Sequence, residues 1–322
     1  MKVIFAGTGD IGLPTLQWLI SDPDIKLLAV ICQPDKPVGR KQELTAPATK
    51  QLAEQHGIPV RQPEKLRTDL EFFKSADADL VVVMAYGQLL TKTVLEAPRI
   101  ACLNLHASIL PRHRGASPIQ AAIREGDENS GVTVMYMDKG LDTGDILLTH
   151  RFRLASDETG ESLHDRLAEA APAALAEAID QLRAGTAPRI PQDSAAATHC
   201  GKLTREDGRI DWSMPAVRIE QMIRAYDPWP GTSTQWLQAP PPLTGKLLKI
   251  FPPTQAIAGP PATLRTEPGA IVIAADSSVT VQTGDGQLKL LSVQLEGKRR
   301  MDTATFLMGN PLPTDALLGS VE

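Results

Sequence analysis

Cys102-Leu103-Asn104-Leu105-His106-Ala107-Ser108-Ile109-Leu110-Pro111, closed by Gly115, is the stretch around which the chain is organised. Its alternation reads as a β-strand running into a proline-terminated turn. Residues two apart on a strand share a face, which places Asn104, His106 and Ser108 together. Leu103, Leu105 and Ala107 then point to the other side, into packing. An amide, an imidazole and a hydroxyl on one face at a strand end make a polar site. Further on, Gly140-Leu141-Asp142-Thr143-Gly144-Asp145 sets a carboxylate in a glycine-flanked turn. Each piece alone also fits a satisfied core residue or an ordinary turn, so the combination carries the argument.

Upstream, the apolar run 2–6 leads into Gly7-Thr8-Gly9-Asp10-Ile11-Gly12 and an apolar-periodic stretch over 13–20. Strand, glycine turn and helix open a Rossmann-like unit. The spacing is formally G-x-G-x-x-G, so a nicotinamide-dependent dehydrogenase is considered. Its second strand, 27–31, should end in an acidic residue that holds a ribose. It ends instead in Cys32-Gln33-Pro34, with Asp35 displaced into a proline-rich loop, which argues against a dinucleotide. Residues 80–85 read as a buried strand, and Tyr86, Gly87 and Gln88 follow at its carboxyl end, where open α/β sheets bind ligands.

The spacing predicts helices over 45–56, 70–74, 118–125 and 159–182, with short strands at 58–60, 132–137 and 145–153. Residues 184–204 lack periodicity and read as a linker. A helix over 215–225 comes next, broken by Tyr226-Asp227-Pro228-Trp229-Pro230-Gly231. Evenly spaced strand patterns at 247–251, 270–274, 279–282 and 288–295 predict a small barrel.

The length of 322 residues admits two domains, and 42% hydrophobic with 22% charged residues is ordinary for a soluble globular protein. A net charge of -5 gives no global sign of nucleic-acid binding, so any such contact must be local. Residues 208–322 balance ten Lys/Arg against ten Asp/Glu, so the negative excess lies before them. Cys32, Cys102 and Cys200 are odd in number and lack any C-x-x-C pair, against a disulfide framework or zinc site. With no signal-peptide core and no apolar run near the ~20 residues that span a bilayer, the expectation is a reducing cytoplasm and no membrane partner.

Asn-x-His-x-Ser-x-Leu-Pro, then Gly, then Leu-Asp-Thr-Gly-Asp, resembles the formyltransferases that use 10-formyltetrahydrofolate. The resemblance implies that Asn104, His106 and Asp142 are catalytic and that Ser108, Ile109, Leu110 and Pro111 help bind the folate. It also implies that Tyr86, Gly87 and Gln88 wall the folate pocket. The expected architecture is α/β: a Rossmann-like formyltransferase domain over 1–188, a linker over 189–207 and a small OB-like β-barrel domain over 208–322. The proline-rich loop 33–41 is similar to the substrate-discriminating insertion of methionyl-tRNA formyltransferases. Lys36, Arg40 and Lys41 there, and Lys298, Arg299 and Arg300 in the barrel, are its expected phosphate contacts. The stretches 202–212 and 226–231 resemble the junction of those enzymes, with Trp212 and Trp229 as core anchors.

The implied reaction moves a formyl group from 10-formyltetrahydrofolate to the methionine amine of initiator methionyl-tRNA, giving the formylated tRNA for translation initiation. No metal is implied, and the chain is expected to be a monomer. Amino-sugar nucleotide formylation by the same chemistry is the alternative. Glycinamide-ribonucleotide formyltransferases share the Asn/His/Asp set but are shorter. A tRNA-binding protein without activity would explain the barrel and the basic loop but not the polar face. In the expected chemistry Asn104 donates to the developing oxyanion through its amide and His106 as imidazole or imidazolium, while Asp142 favours the charged form of His106 or orients a water that relays the amine proton to the folate nitrogen.

Overall fold

Short aliphatic runs build the first sheet, and their pairing is seen in a computed structural model. It describes residues 1–39, 42–238, 241, 243–259, 267–273, 278–312 and 316–319. Two compact units emerge: Met1–Pro118 with Asn129–Arg153 and His164–Cys200, and Ile119–Glu128 with Leu154–Leu163 and Gly201–Glu322.

In chain order the strands of the first unit are β1 (Lys2–Ala6), β2 (Lys26–Ile31), β3 (Lys36–Val38), β4 (Glu43–Thr45), β5 (Val60–Arg61) and β6 (Leu80–Val83). They continue with β7 (Ala101–His106), β8 (Arg114–Gly115), β9 (Asn129–Tyr136), β10 (Ile146–Arg153) and β11 (His199–Cys200). The main sheet has the order β10-β9-β7-β6-β1-β2-β5. Strands β7, β6, β1, β2 and β5 run parallel, whereas β9 and β10 add antiparallel. The central strands β6 and β7 are buried at every residue, as expected when both faces of a parallel sheet are covered. The chain order reverses between β6 and β1, and there the loops that follow the two strands are tied together. Thr8 and Gly9 donate their amides to Ala85 O at 3.2 and 3.3 Å, and Thr8 Oγ1 donates to Tyr86 O at 3.1 Å.

Other amides of the glycine turn are bonded within the same sheet and turn. The Gly7 amide is spent on Ile31 O at 2.9 Å, and the Gly12 amide on Gly9 O at 3.2 Å. A Cβ on Gly7 would meet the Phe5 ring at 2.6 Å and Met84 O at 2.8 Å, so this glycine serves close packing.

The helix expected over 45–56 begins later, at Ala48–Gln55, because Glu43–Thr45 pairs with Lys36–Val38 as a hairpin and Pro47 stands at the helix start. Arg40 and Lys41 lie outside the described residues. Helix Gly160–Ala184 matches the expected 159–182 to within two residues and buries Leu163, Leu167, Ala171, Ala174, Leu175 and Ala178 completely.

In the second unit, β12 (Thr232–Gln238), β13 (Leu247–Ile257), β14 (Ile271–Ile273), β15 (Val279–Gln282), β16 (Gln287–Leu295), β17 (Met301–Asp302) and β18 (Leu317–Gly319) are antiparallel. Their order is β14-β15-β16-β13-β12-β18. The ends meet: Leu318 N donates to Gly269 O at 2.9 Å and Ile271 N to Ala316 O at 3.1 Å. The sheet thus closes into the small OB-like barrel. The 274–277 part of the strand pattern lies outside the described residues. Trp236, stacked on Phe306 with ring centroids 6.2 Å apart, sits in its core.

Trp212 is the anchor expected, buried with its Nε1 donating to Thr234 Oγ1 at 3.0 Å. Trp229 is not. The residue is 51% exposed, with the Arg205 guanidinium 6.0 Å from the ring centroid, so the aromatic-proline break holds a surface tryptophan.

Candidate active site

Asn104 and His106 stand near the carboxyl end of β7, on one face as the alternation requires, and both are buried. Ser108 has left the strand, which ends at His106. Its hydroxyl donates to Arg112 O at 2.7 Å and its carbonyl accepts from Thr133 Oγ1 at 2.6 Å, so it closes the following turn instead of extending the polar face. Thr133 also accepts from Leu110 N at 3.2 Å, pinning the Ile109–Pro111 segment to β9.

Asp142 reaches both strand residues. Its Oδ1 lies 3.5 Å from Asn104 Nδ2, and its Oδ2 lies 3.7 Å from His106 Nδ1. The Gly115 amide donates to Oδ2 at 2.8 Å, a charge-assisted bond that fixes the carboxylate. Asp142 itself has φ of 55°, in the left-handed region that aspartate tolerates better than most residues. Such strained backbone persists where surrounding bonds over-determine it.

The other ring nitrogen of His106, Nε2, lies 2.9 Å from His113 O. A carbonyl only accepts, so Nε2 carries the hydrogen and the Nδ1 of a neutral ring offers a lone pair toward Asp142. Burial pushes the His106 pKa down. The Asp142 charge and the His113 carbonyl oppose this but do not overcome it, and His113 adds to the depression. The sequence leaves imidazole and imidazolium both open, and Asp142 does favour the charged form, but burial is the larger influence. The neighbouring carboxylate does not make His106 the charged donor, because desolvation of a ring this buried outweighs one carboxylate that is itself 13% exposed. The arrangement supplies a base at Nδ1, an amide donor at Asn104 and a fixed negative charge at Asp142.

Gly115 closes the motif in the sequence, but His113, Arg114, Gln192 and Thr198, which also hold this cluster, escaped the sequence reading. Gly115 packs against β11 so closely that a Cβ would sit 2.2 Å from Cys200 O, and its φ is +122°. His113 N donates to Thr198 Oγ1 at 2.8 Å. Gln192 joins the Asp142 turn to the Arg114 guanidinium through its amide. Ile190 exchanges two backbone bonds with Ile146, at 2.8 and 3.0 Å. The stretch whose composition marks it as a linker is therefore bonded to the first unit over Ile190–Cys200. Only His113, Arg114 and Gly115 lie near the opening motif, and nothing in the side-chain pattern of 190–200 signals its role.

Tyr86 is buried, with a hydroxyl that has no partner among the described residues, and burial raises its pKa to about 12. Its carbonyl accepts from Thr8 and Gln33 side chains. No hydrogen bond among the described residues uses the Gly87 or Gln88 amides, leaving main-chain donors at the carboxyl end of β6. The Gln88 side chain is occupied elsewhere, accepting from Leu66 N at 2.8 Å and donating to Pro63 O and Glu64 O. Of the basic residues, Lys36, Lys298, Arg299 and Arg300 are exposed. Arg300 is tied to the barrel, donating to Ser292 Oγ at 2.8 Å and Pro252 O at 2.7 Å and lying 4.3 Å over the Phe251 ring. Among the described residues no helix is long and apolar enough to cross a membrane.

Comparison with known proteins follows the same outline. Residues 1–179 match the formyl transferase family model, and residues 202–311 match the model of the formyl transferase C-terminal domain. The methionyl-tRNA formyltransferase of Akkermansia muciniphila is 44% identical over 313 residues, 97% of each chain. That of Geotalea daltonii is 43% identical over 321 residues, 99% of this chain and 98% of the relative. Among solved structures, the N-formyltransferase from Helicobacter canadensis in complex with folinic acid and dTDP-3-aminofucose superposes with a TM-score of 0.64 at 16% identity, over 90% of this chain and 98% of that one. HypX from Aquifex aeolicus in complex with tetrahydrofolic acid gives 0.57 at 18% identity over 95% of this chain, which spans about half, 47%, of HypX. Both structures are alike in fold. With both domains matched and identity sustained over nearly the full length, this chain belongs to the methionyl-tRNA formyltransferase family.

Proposed function

We propose that this chain transfers the formyl group of 10-formyltetrahydrofolate to the methionine amine of initiator methionyl-tRNA. The observation that carries the reading is the Asn104–His106–Asp142 cluster, standing in a chain 44% identical to a methionyl-tRNA formyltransferase. In this reading the folate lies against the free Gly87 and Gln88 amides and the Ser108–Pro111 turn. Asn104 Nδ2 donates to the formyl oxygen as it takes on negative charge, an interaction often worth ~3 kcal/mol in the transition state. His106 Nδ1 takes the proton that the attacking amine must lose and returns it toward the folate nitrogen as the old C–N bond breaks. Asp142 stabilises the imidazolium that forms between these two steps.

Domain roles follow the same reading: catalysis in the first unit, to which Ile190–Cys200 of the expected linker is bonded, and tRNA contact from 208–322. Lys36, Arg40 and Lys41 meet the acceptor end, with Lys298 and Arg299 as further phosphate contacts. Arg300 is assigned a weaker part, since its guanidinium already has barrel partners. The protein is proposed to act in the cytoplasm, as a monomer. The test offers 10-formyltetrahydrofolate with charged initiator tRNA, with an amino-sugar nucleotide, or with either NAD or NADP as control ligand. Formylation of the tRNA alone supports the proposal; preference for the sugar nucleotide would replace it.

A further inference from the structure

We propose that Gln192 is a positioning residue for formyl transfer, acting through Asp142; the inference rests on the catalytic role proposed above for that carboxylate. Its amide is used completely. Nε2 donates to Asp142 O at 2.9 Å and to Gly144 O at 2.7 Å, one hydrogen to each. Oε1 accepts twice from Arg114, from Nε at 3.1 Å and from Nη2 at 2.8 Å. The orientation of the amide is not ambiguous, since a guanidinium only donates and carbonyls only accept.

These bonds close a ring. Gln192 holds the backbone of Asp142, the Asp142 side chain accepts from Gly115 N, and Gly115 is the covalent neighbour of Arg114, which returns to Gln192. The ring fixes both ends of Asp142, its left-handed backbone and its carboxylate, against the strand pair β8–β11. Neighbouring contacts hold the same stretch in place. Ile190 pairs with Ile146, and the Arg189 guanidinium lies 3.7 Å over the Tyr136 ring. Of the common side chains at this reach, glutamine alone offers two donors to the turn and an acceptor to Arg114. Leucine offers neither, and glutamate offers only the acceptor.

That difference separates positioning from a plain packing role. Arg114 is 4% exposed and bonded to a neutral oxygen, so if Gln192 served only to satisfy Arg114, Gln192→Glu would do at least as well. Positioning requires the donors, so Gln192→Glu and Gln192→Leu should both lower kcat, roughly 10- to 100-fold, with KM for folate and tRNA within about twofold. In an Asp142→Ala background, Gln192→Leu should add little further loss, because the group it positions is gone.

The measurement is steady-state formylation of initiator methionyl-tRNA by the full chain, with folded fraction from thermal unfolding and folate binding. Parental kcat in Gln192→Glu, or losses that multiply in the double variant, would overturn the inference. Should the leucine variant fail to fold, Gln192→Glu, which keeps the Arg114 contact, carries the test, with Gln192→Met as the uncharged companion. Parental kcat in Asp142→Ala alone would instead sink the catalytic reading of Asp142, a separate outcome.

Discussion

His106 donates its Nε2 hydrogen to the carbonyl of His113, 2.9 Å away, and that bond decides the chemistry of the ring. With Nε2 committed, Nδ1 becomes the nitrogen presented to Asp142 at 3.7 Å. The gap is too long for a direct hydrogen bond but close enough for the Asp142 charge to stabilise an imidazolium. A buried neutral ring beside a fixed carboxylate is thus ready to accept one proton and to have the resulting charge stabilised.

The first expectation follows directly. His106→Ala should lower kcat for tRNA formylation at least ~100-fold, by loss of the base and of charge stabilisation. Asp142→Asn should do likewise while keeping an oxygen for the Gly115 amide. Substrate KM values should move little. Near-normal turnover in either variant removes the residue from the mechanism.

The pH dependence has a definite sign. Burial places the folded pKa of His106 below its ordinary value of about 6.5. The rate should therefore hold through neutrality and fall on acidification with a midpoint below ~6.5. Removing the carboxylate in Asp142→Asn removes an upward influence, so the midpoint should move lower still. The folded state binds this proton less readily than the unfolded chain. Its contribution to stability is fully present above about 6.5 and lost as pH falls toward the folded pKa. NMR titration of the ring, read beside the rate profile, checks both; an unshifted or raised pKa contradicts them.

Gly115→Ala should be costly twice over. The new methyl meets Cys200 O at 2.2 Å, and the φ of +122° is one that an L side chain adopts only under strain. A loss of at least ~2 kcal/mol is expected from the clash and backbone strain together. Separation of β8 from β11 would also loosen the Gly115–Asp142 bond, so the folded fraction should turn over more slowly. Denaturant unfolding and specific activity are the measurements, and a variant as stable as the parent would refute the packing argument.

Lys36→Glu tests the hairpin loop. Lys36 is exposed, so the substitution should change stability by no more than ~0.5 kcal/mol. If the loop meets tRNA phosphate, kcat/KM for tRNA should fall and its log–log salt slope should flatten by roughly 0.7–0.9. Folate binding should stay as in the parent. Unchanged tRNA kinetics at every salt concentration would make the loop a connection only.

In the second unit, Thr234 accepts from Trp212 Nε1 at 3.0 Å and donates to Gly319 O at 3.0 Å. Thr234→Val keeps the shape and strands a buried indole N–H, costing about 1–3 kcal/mol. Thermal unfolding of the full chain should register this as a lower midpoint, and an unmoved midpoint would mean that water takes over both bonds.

Much of this molecule was legible from side-chain order. The β7 alternation placed Asn104 and His106 on one face, and the glycine turn at 140–145 located Asp142, because strand period and turn composition are local properties. Local reading went astray where a longer-range partner intervened. Ser108 continued the alternation in sequence, yet its hydroxyl turned to Arg112 O once the strand ended. Trp229 was expected as an anchor from the resemblance of its stretch to a domain junction, but its burial depended on what packs around it.

What tertiary structure alone decided is the state of the site. The proton position on His106 depends on a backbone carbonyl, and the Asp142 carboxylate is held by a backbone amide, groups that every residue carries and that no pattern can mark. Gln192 reaches Asp142 across 50 residues and Arg114 across 78, from a stretch whose composition announces only a connection. Sequence by itself determined which reactive side chains are present and which face they share. Their ionisation and aim were decided by burial and by bonds between distant segments, because desolvation and hydrogen-bond geometry exist only once the chain has closed around them.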